Sequence, residues 1–215
     1  MLSRVTLVVC LAATTVAPQP AGAEPLARVL VLGDSVFHSF HHIESAREVM
    51  TGQQATIFAT QTCQRLVSPG CSPSARLSSL DQLRRYSGKF TDVVVIGTGY
   101  NDRIGPEFRS AVKHIADEAR LQGVDVLWVT YREVRHVRGK ARVMNEQLRR
   151  LDSKIDNLYI ADWNAFADGD RDWFRPDRLH LVTNGANAMA AMLNANLAPI
   201  LGAREAARAA SNPTN

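Results

Sequence analysis

Short runs rich in β-branched residues alternate with longer amphipathic stretches along the chain, and this alternation limits the fold more than any other feature of the sequence. The short runs, which are predicted to be strands, lie at residues 27–32, 55–59, 91–96, 124–130 and 157–161. The longer stretches, which are predicted to be helices, lie at residues 36–50, 78–86, 106–121, 140–151 and 183–197. Strands that alternate with helices in this way build a parallel sheet with helices on both faces.

Five such strands predict the fold class α/β, with a three-layer α/β/α sandwich around a five-stranded parallel sheet. Right-handed crossovers favour the flavodoxin-like strand order 2-1-3-4-5. In sheets of this kind, ligands bind beyond the carboxyl ends of the strands. The residues that follow the predicted strands are therefore the first place to search for a functional site.

The first 23 residues have the pattern of a secretory signal peptide. Arg4 precedes a short apolar stretch, residues 5–16, and Ala21-Gly22-Ala23 puts small residues at the −3 and −1 positions of a cleavage site before Glu24. This apolar run is well below the roughly 20 residues that a membrane-spanning helix needs. We therefore expect a protein that is secreted or exported to the cell envelope, with cleavage near Ala23 and no transmembrane segment afterwards.

The remaining chain is expected to form one domain, residues 24–203, followed by a flexible tail, residues 204–215, with the last helix ending before Pro199. The chain has 215 residues, of which 46% are hydrophobic and 21% are charged. This composition excludes collagen-like, coiled-coil, disulfide-scaffold and disordered classes. The net charge of +4 is small and both signs are mixed along the sequence. A nucleic-acid partner is therefore not expected.

The cysteines and histidines indicate a disulfide rather than a metal site. Of the three cysteines, Cys10 lies in the predicted signal peptide, which leaves Cys63 and Cys71 to form a disulfide in an oxidising compartment. Neither a CxxC motif nor a nearby His pair supports a metal site at these thiols. His38 and His42 have a spacing that can bind zinc, but no HExxH glutamate accompanies them. No cofactor or metal is expected.

Polar residues follow the predicted strands at three informative points. A serine at the tight turn of Gly33-Asp34-Ser35 exposes its hydroxyl and presents its N–H at a helix N-terminus, as an acyl-transfer nucleophile needs, although it also suits an N-cap. In Gly99-Tyr100-Asn101-Asp102 the Asn amide either donates to an oxyanion or only forms a turn. Asp177 precedes His180 by three residues, so its carboxylate can orient the imidazole, although DxxH alone is a common pattern.

Taken together and in this order, the three segments resemble the SGNH hydrolase superfamily, also called GDSL-type esterases and lipases. Gly33-Asp34-Ser35, Gly99-Tyr100-Asn101-Asp102 and residues 177–180 match the first, third and fifth blocks of the family. The resemblance covers nearly all of the chain after the signal peptide and implies that residues 24–203 are an SGNH hydrolase-like catalytic domain. It further implies a secreted serine esterase that hydrolyses acyl esters of carbohydrates, lipids or small alcohols through an acyl-enzyme.

The resemblance also implies roles for individual residues. Ser35 would be the nucleophile, His180 the general base and Asp177 the residue that orients His180, while Asn101 and the Ser35 N–H would form part of the oxyanion hole. The second family block supplies a third donor from a glycine N–H, but the matching segment, residues 60–65, contains no glycine. The N–H of Thr62, Cys63 or Gln64 can serve instead, and we assign Cys63. The Cys63–Cys71 disulfide would then hold this donor loop.

Other residues near the predicted site allow two readings each. Candidate substrate contacts are Asp34, Arg65, Tyr100 and Phe174. Trp163, Phe166, Trp173 and Phe174 either line a pocket or pack in the core. The basic loop at residues 131–142 either steers an acidic glycan or an anionic lipid surface or is an ordinary solvated loop. The basic residues in question are Arg132, Arg135, Arg138 and Lys140. We expect an acyl-ester substrate and a monomer.

Two further functions stay open at this point. An O-acyltransferase acting on a cell-wall glycan would use the same fold and the same residues, and would differ only in the hydroxyl that resolves the acyl-enzyme. A non-catalytic secreted binding module would be expected to have lost the serine, histidine or asparagine. All three residues are present.

Overall fold

The computed structural model describes residues 26–211, and the predicted signal peptide lies outside this range. Five strands form one sheet in the order β2-β1-β3-β4-β5, and every neighbouring pair is parallel. The strands are β1 (Ala27–Gly33), β2 (Thr56–Thr60), β3 (Phe90–Gly97), β4 (Asp125–Val129) and β5 (Leu158–Ala161). The predicted α/β class and the strand order 2-1-3-4-5 are both confirmed.

Helices cover both faces of the sheet. They are α1 (Glu44–Thr51), α2 (Ser79–Arg85), α3 (Pro106–Leu121), α4 (Arg138–Asp152), α5 (Trp163–Phe166) and α6 (Thr183–Ser211). Successive strand residues point to opposite faces, so Val29 and Val31 join a core with α1 and α6, while Leu30 and Leu32 join a core with α2, α3 and α4. The strands are apolar on both sides because helices bury both faces. Within the described residues, no helix is both long and apolar enough to span a bilayer.

The segment predicted as one helix over residues 36–50 is divided in two. A 3₁₀ turn, Phe37–His41, comes first, and α1 starts only at Glu44. The carbonyl of Ser39 accepts the N–H groups of both His42 and Ile43, which closes the turn, and Ile43 is extended. The turn is compact because Gly33 and Gly97 leave room for Phe37, since a Cβ at Gly97 would come within 2.2 Å of its ring and a Cβ at Gly33 within 2.7 Å of the ring.

The predicted end of the last helix is wrong. Helix α6 continues through Pro199 to Ser211, so residues 204–211 of the expected flexible tail are helical. The reason is tertiary. Arg204 in the last turns donates to Asp92 at 3.1 Å and to Asp125 at 2.8 Å, and Arg208 also pairs with Asp92. These contacts with the start of β3 and β4 offset the backbone hydrogen bond that a proline inside a helix removes.

Candidate active site

Ser35, His180 and Asp177 form one continuous hydrogen-bonded chain. Ser35 follows β1 by two residues, and its Oγ lies 3.0 Å from Nε2 of His180, although the two residues are 145 positions apart in sequence. Nδ1 of His180 lies 2.7 Å from Oδ2 of Asp177. The fold therefore brings together the three side chains that were predicted from sequence to be the nucleophile, the base and the orienting carboxylate.

The loop before α6 fixes the His180 ring in this orientation. Oδ1 of Asp177 accepts the backbone N–H groups of Leu179 and His180, each at 2.9 Å, so the carboxylate binds both the backbone and the ring of His180. Burial raises the pKa of Asp177, but these hydrogen bonds outweigh it and leave that pKa below its ordinary value. Asp177 is thus ionised at neutral pH. The side chains of both residues are only partly exposed, at 34% for His180 and 39% for Asp177.

Asp34 is part of the scaffold and does not contact substrate, which corrects its assignment from sequence. Its side chain is completely buried and accepts the N–H groups of Val36, Gly99 and Tyr100, each at 3.2 Å. Burial raises its pKa to about 6, while these three hydrogen bonds act in the opposite direction. Asp34 therefore ties the turn that carries Ser35 to the turn after β3 that carries Asn101.

The Asn101 amide is oriented by the loop after β2. Its Nδ2 donates to the carbonyl oxygen of Gln64 at 3.1 Å, which uses one of its two N–H bonds and leaves the other. The neighbouring Asp102 accepts the N–H of Leu66 with both carboxylate oxygens, at 3.0 and 3.1 Å. Burial raises the pKa of Asp102 to about 6. Gln64 and Asp102, which sequence analysis missed as supports of Asn101, join the two loops.

Cys63 has the backbone conformation that usually requires a glycine. Its φ is +64°, in the left-handed region that residues with a Cβ rarely adopt. It is bonded to Cys71 in a disulfide with a Cα–Cα distance of 5.3 Å, and the Cys71 N–H donates to the Cys63 carbonyl at 3.1 Å. Within residues 26–211 the N–H of Cys63 has no hydrogen-bond partner, whereas the N–H of Gln64 donates to Gln61. Of the three candidate donors, Gln64 is engaged, whereas the N–H groups of Thr62 and Cys63 have no hydrogen-bond partner within residues 26–211.

Two of the other predicted substrate contacts are engaged in the interior. The Tyr100 hydroxyl accepts the Arg132 N–H at 2.7 Å, and its ring packs edge-on against Tyr131. Burial raises the pKa of Tyr100 far above its ordinary range. Phe174 is 7% exposed and packs beside Trp163. The Tyr100 hydroxyl is therefore engaged by the protein and most of Phe174 is buried, because a residue next to a strand end or catalytic loop can direct its side chain to the core.

Arg65 remains in a position to meet a ligand. It lines an open cavity of about 400 Å³ together with Asn101. Asp102, Arg103, Glu107 and Phe108 are among the other residues of the lining. This cavity contains both basic and acidic side chains, so its charge does not select a single sign of ligand.

The basic residues after β4 do not form one common exposed surface, contrary to the predicted docking surface for an acidic glycan or an anionic lipid. Arg135 and Arg138 are exposed, but Arg132 is 8% exposed, and Lys140 is half-buried, with its Nζ donating to the Tyr100 carbonyl at 2.7 Å. The difference arises because this loop folds back against the turn after β3.

The histidines after Ser35 pack against one another. The ring centroid of His38 lies 4.8 Å from that of His41 and 5.2 Å from that of His42. Nδ1 of His38 lies 3.3 Å from the Thr60 carbonyl oxygen. No group of three or more metal-ligating side chains is found in the described part of the chain.

Comparison with known proteins identifies the fold. No protein-family model and no curated protein matches the sequence. Among solved structures, a GDSL-like lipase from Bacteroides thetaiotaomicron has 15% identity and a TM-score of 0.59, over 81% of this chain and 91% of that chain. The esterase EstA from a Pseudoalteromonas species has 14% identity and a TM-score of 0.58, over 81% and 98%.

A family 3 carbohydrate esterase from Clostridium thermocellum is similar to the same extent, with 14% identity and a TM-score of 0.57 over 82% of this chain and 98% of that chain. The similarity covers 81–82% of this chain, so it extends over most of the fold rather than one motif. The chain has the fold of the SGNH hydrolase superfamily, which its three sequence segments predicted.

Proposed function

We propose that this chain is a carboxylic ester hydrolase in which Ser35 is the nucleophile. The observation that carries the proposal is the continuous chain from Ser35 Oγ through His180 to Asp177, with distances of 3.0 and 2.7 Å. A serine beside a neutral imidazole that a carboxylate orients is the arrangement that activates a hydroxyl for acyl transfer. The fold shared with esterases and a lipase supports the same reaction class.

In the first half of the reaction, Ser35 Oγ attacks the ester carbonyl carbon while Nε2 of His180 takes the hydroxyl proton. The tetrahedral intermediate collapses, and the C–O bond to the alcohol breaks as His180 returns the proton to the alcohol oxygen. In the second half, His180 takes a proton from water, whose oxygen attacks the acyl-enzyme. The acid then leaves, and Ser35 regains its proton. Asp177 holds the imidazole in the tautomer that both halves require.

Three donors are available to the oxyanion. The N–H of Ser35 and the N–H of Cys63 make no hydrogen bond within residues 26–211, and Asn101 has one N–H bond of its amide left. Donors that are already oriented stabilise the developing charge without reorganising during the reaction. We therefore assign the oxyanion hole to Ser35, Cys63 and Asn101. The left-handed conformation of Cys63 supports this assignment, because the family has a glycine in this block.

The test is hydrolysis of p-nitrophenyl esters with acyl chains of increasing length, which also reports whether short or long acyl groups are preferred. Ser35→Ala and His180→Ala are each expected to lower kcat/KM by several orders of magnitude. Ser39→Ala is the matched control, since the Ser39 hydroxyl only donates to the Val36 carbonyl in the same segment. Near-complete activity of a folded Ser35→Ala protein would contradict the proposal.

We also propose that the domain is exported after removal of residues 1–23. The Cys63–Cys71 disulfide supports export, because disulfides persist mainly in oxidising compartments. The intact mass of the exported protein should correspond to a chain that starts at Glu24. A mass that includes the first 23 residues would contradict the cleavage.

A further inference from the structure

The guanidinium of Arg132 is a largely buried positive charge, and residues 26–211 provide no hydrogen-bond or ion-pair partner for it. Arg132 follows β4, and only 8% of the residue is exposed. Its side chain makes no hydrogen bond and no ion pair with any residue in the range 26–211, and its Nη1 is completely buried. Burial lowers the pKa of Arg132, as expected for a cation withdrawn from water. Polar atoms buried without a partner are rare in proteins and call for an explanation.

The surroundings of Arg132 compensate this charge only in part. The guanidinium lies over the Phe174 ring, 3.7 Å from its centroid, which provides a cation–π contact. The carboxylates of Asp168 and Asp170 act on it from a distance, but both residues are exposed and neither forms an ion pair with it. Arg178 adds a second positive charge nearby. An anion at this position would supply the hydrogen bonds that the protein does not.

Arg132 is connected through Phe174 to the segment that carries His180. Phe174, on which it lies, pairs with Leu181 in an isolated bridge, and the neighbouring Arg175 N–H donates to the His180 carbonyl at 2.8 Å. Arg132 therefore packs on the hairpin that carries His180, the group that protonates the leaving alcohol. Strand β4 lies on the opposite side of β1 from β2, whose following loop carries Cys63.

We propose that Arg132 binds a carboxylate on the alcohol part of the substrate, so that the enzyme prefers acyl esters of hydroxy acids, including uronic-acid-type sugars, over esters of neutral alcohols. The inference rests on the proposed ester hydrolase function and specifies its substrate class. Arginine suits this role because its planar guanidinium offers two parallel N–H bonds to a carboxylate. Arg132 is thus a specificity residue, separate from the groups that break the ester bond.

The experiment compares two esters that differ in one charge: 4-acetoxybenzoate and its neutral twin, methyl 4-acetoxybenzoate. The quantity measured is the preference, defined as kcat/KM for the carboxylate divided by kcat/KM for the methyl ester. Dividing the wild-type preference by that of a variant removes the difference in intrinsic reactivity. Arg132→Gln is expected to lower the preference by about 10- to 100-fold, as for the loss of a hydrogen bond to a charged group. The preference of Arg132→Lys, which keeps the positive charge but lacks the planar guanidinium, should lie between those of the wild type and Arg132→Gln.

Arg135→Gln is the matched control, because Arg135 is an exposed arginine in the same loop. It should leave the preference unchanged, whereas an equal fall in Arg135→Gln and Arg132→Gln would overturn a specific site in favour of general electrostatic steering. A preference that is the same in wild type and Arg132→Gln, with both proteins folded by circular dichroism, would also overturn the proposal.

A second pair of esters tests the acyl side. Phenyl hydrogen succinate has a carboxylate on its acyl part, and phenyl butyrate is its neutral counterpart. A larger effect of Arg132→Gln on this pair than on the acetoxybenzoates would overturn the assignment to the alcohol side. Failure of the function itself is recognised separately, because hydrolysis of the neutral methyl ester would then not depend on Ser35.

Discussion

Asn101 shows how much of the candidate site depends on the orientation of single side chains. Its amide is held by the Gln64 carbonyl at 3.1 Å and is adjacent to Asp102, whose carboxylate binds the Leu66 N–H. These contacts come from a loop that lies about 35 residues earlier in the chain. One N–H bond of the amide is held by this contact, which restricts the orientation of the second. In the proposed reaction, a donor that is already oriented stabilises an oxyanion without reorganising.

Replacement of Asn101 by alanine should lower kcat by about 10²- to 10³-fold and change KM little, because the lost interaction forms only with the oxyanion. The measurement is steady-state hydrolysis of a p-nitrophenyl ester. Asn101→Asp provides a second variant of similar shape, whose negative charge should be at least as harmful. A large rise in KM with an unchanged kcat would contradict the oxyanion role and indicate ground-state binding.

The residues of the site were predictable from sequence to different degrees. Ser35, Asp177 and His180 belong to short motifs, of which only the Asp177–His180 spacing reflects direct contact, and the structure brings all three side chains together. Asp34 and Tyr100 lie in the same motifs, but their side chains turn inward to backbone N–H groups. A motif gives the position of a residue along the chain, whereas the side chain's direction at a tight turn depends on partners that are distant in sequence.

At the scale of elements, the loop after β2 is the least ordinary part of the molecule. Residues 60–65 contain no glycine, yet Cys63 adopts a φ of +64° and is bonded to Cys71 in a disulfide. A left-handed conformation costs a residue with a Cβ roughly 1–2 kcal/mol, and the crosslink restricts the alternatives. The disulfide thus favours a backbone conformation that a glycine would adopt without strain.

Two double variants separate the crosslink from the backbone conformation. Both remove the disulfide, but Cys63→Gly/Cys71→Ser restores a residue suited to positive φ, whereas Cys63→Ser/Cys71→Ser does not. We expect kcat/KM of the glycine variant to exceed that of the serine variant by roughly tenfold, which corresponds to the cost of the left-handed conformation. Equal activities of the two variants would show that the loop conformation does not control the reaction.

Helix α6 illustrates where local signals fail at the element scale. Pro199 predicts a helix end, but the helix continues to Ser211 because Arg204 and Arg208 bind Asp92 on another element. In contrast, the strand order followed from the alternation of strands and helices, because right-handed crossovers leave few topologies. The sequence pattern of each segment therefore predicted the topology. It could not predict the contacts between distant segments that extend α6.

At the scale of the whole molecule, the two ends of the sheet differ in the residues that they bring together. The candidate site lies beyond the carboxyl ends of the strands, while the opposite end is held by a cluster of charges around Asp92. This carboxylate is completely buried and binds Arg28 at 2.7 Å and Arg204 at 3.1 Å, in addition to Arg208. The cluster connects β1, β3 and the end of α6, so it contributes to stability far from the reaction.

Asp92→Asn should therefore lower the free energy of unfolding by about 3 kcal/mol, because the arginines lose their shared buried counter-charge. Chemical denaturation followed by circular dichroism measures the change. Asp117→Asn is the control, since its pair with Arg120 is on the surface and contributes little, within about 0.5 kcal/mol. A similar small effect of both substitutions would contradict the role assigned to the cluster. The folded Asp92→Asn protein should keep its kcat.

Covalent labelling with a fluorophosphonate, followed by mass spectrometry, tests most directly whether Ser35 is a nucleophile activated by His180. The wild-type protein is expected to gain one phosphonyl group, located on the peptide that contains Ser35, with loss of esterase activity in proportion. Folded Ser35→Ala should gain none, and His180→Ala should react far more slowly. Absence of labelling in the folded wild-type protein, or labelling at another residue, would contradict the account.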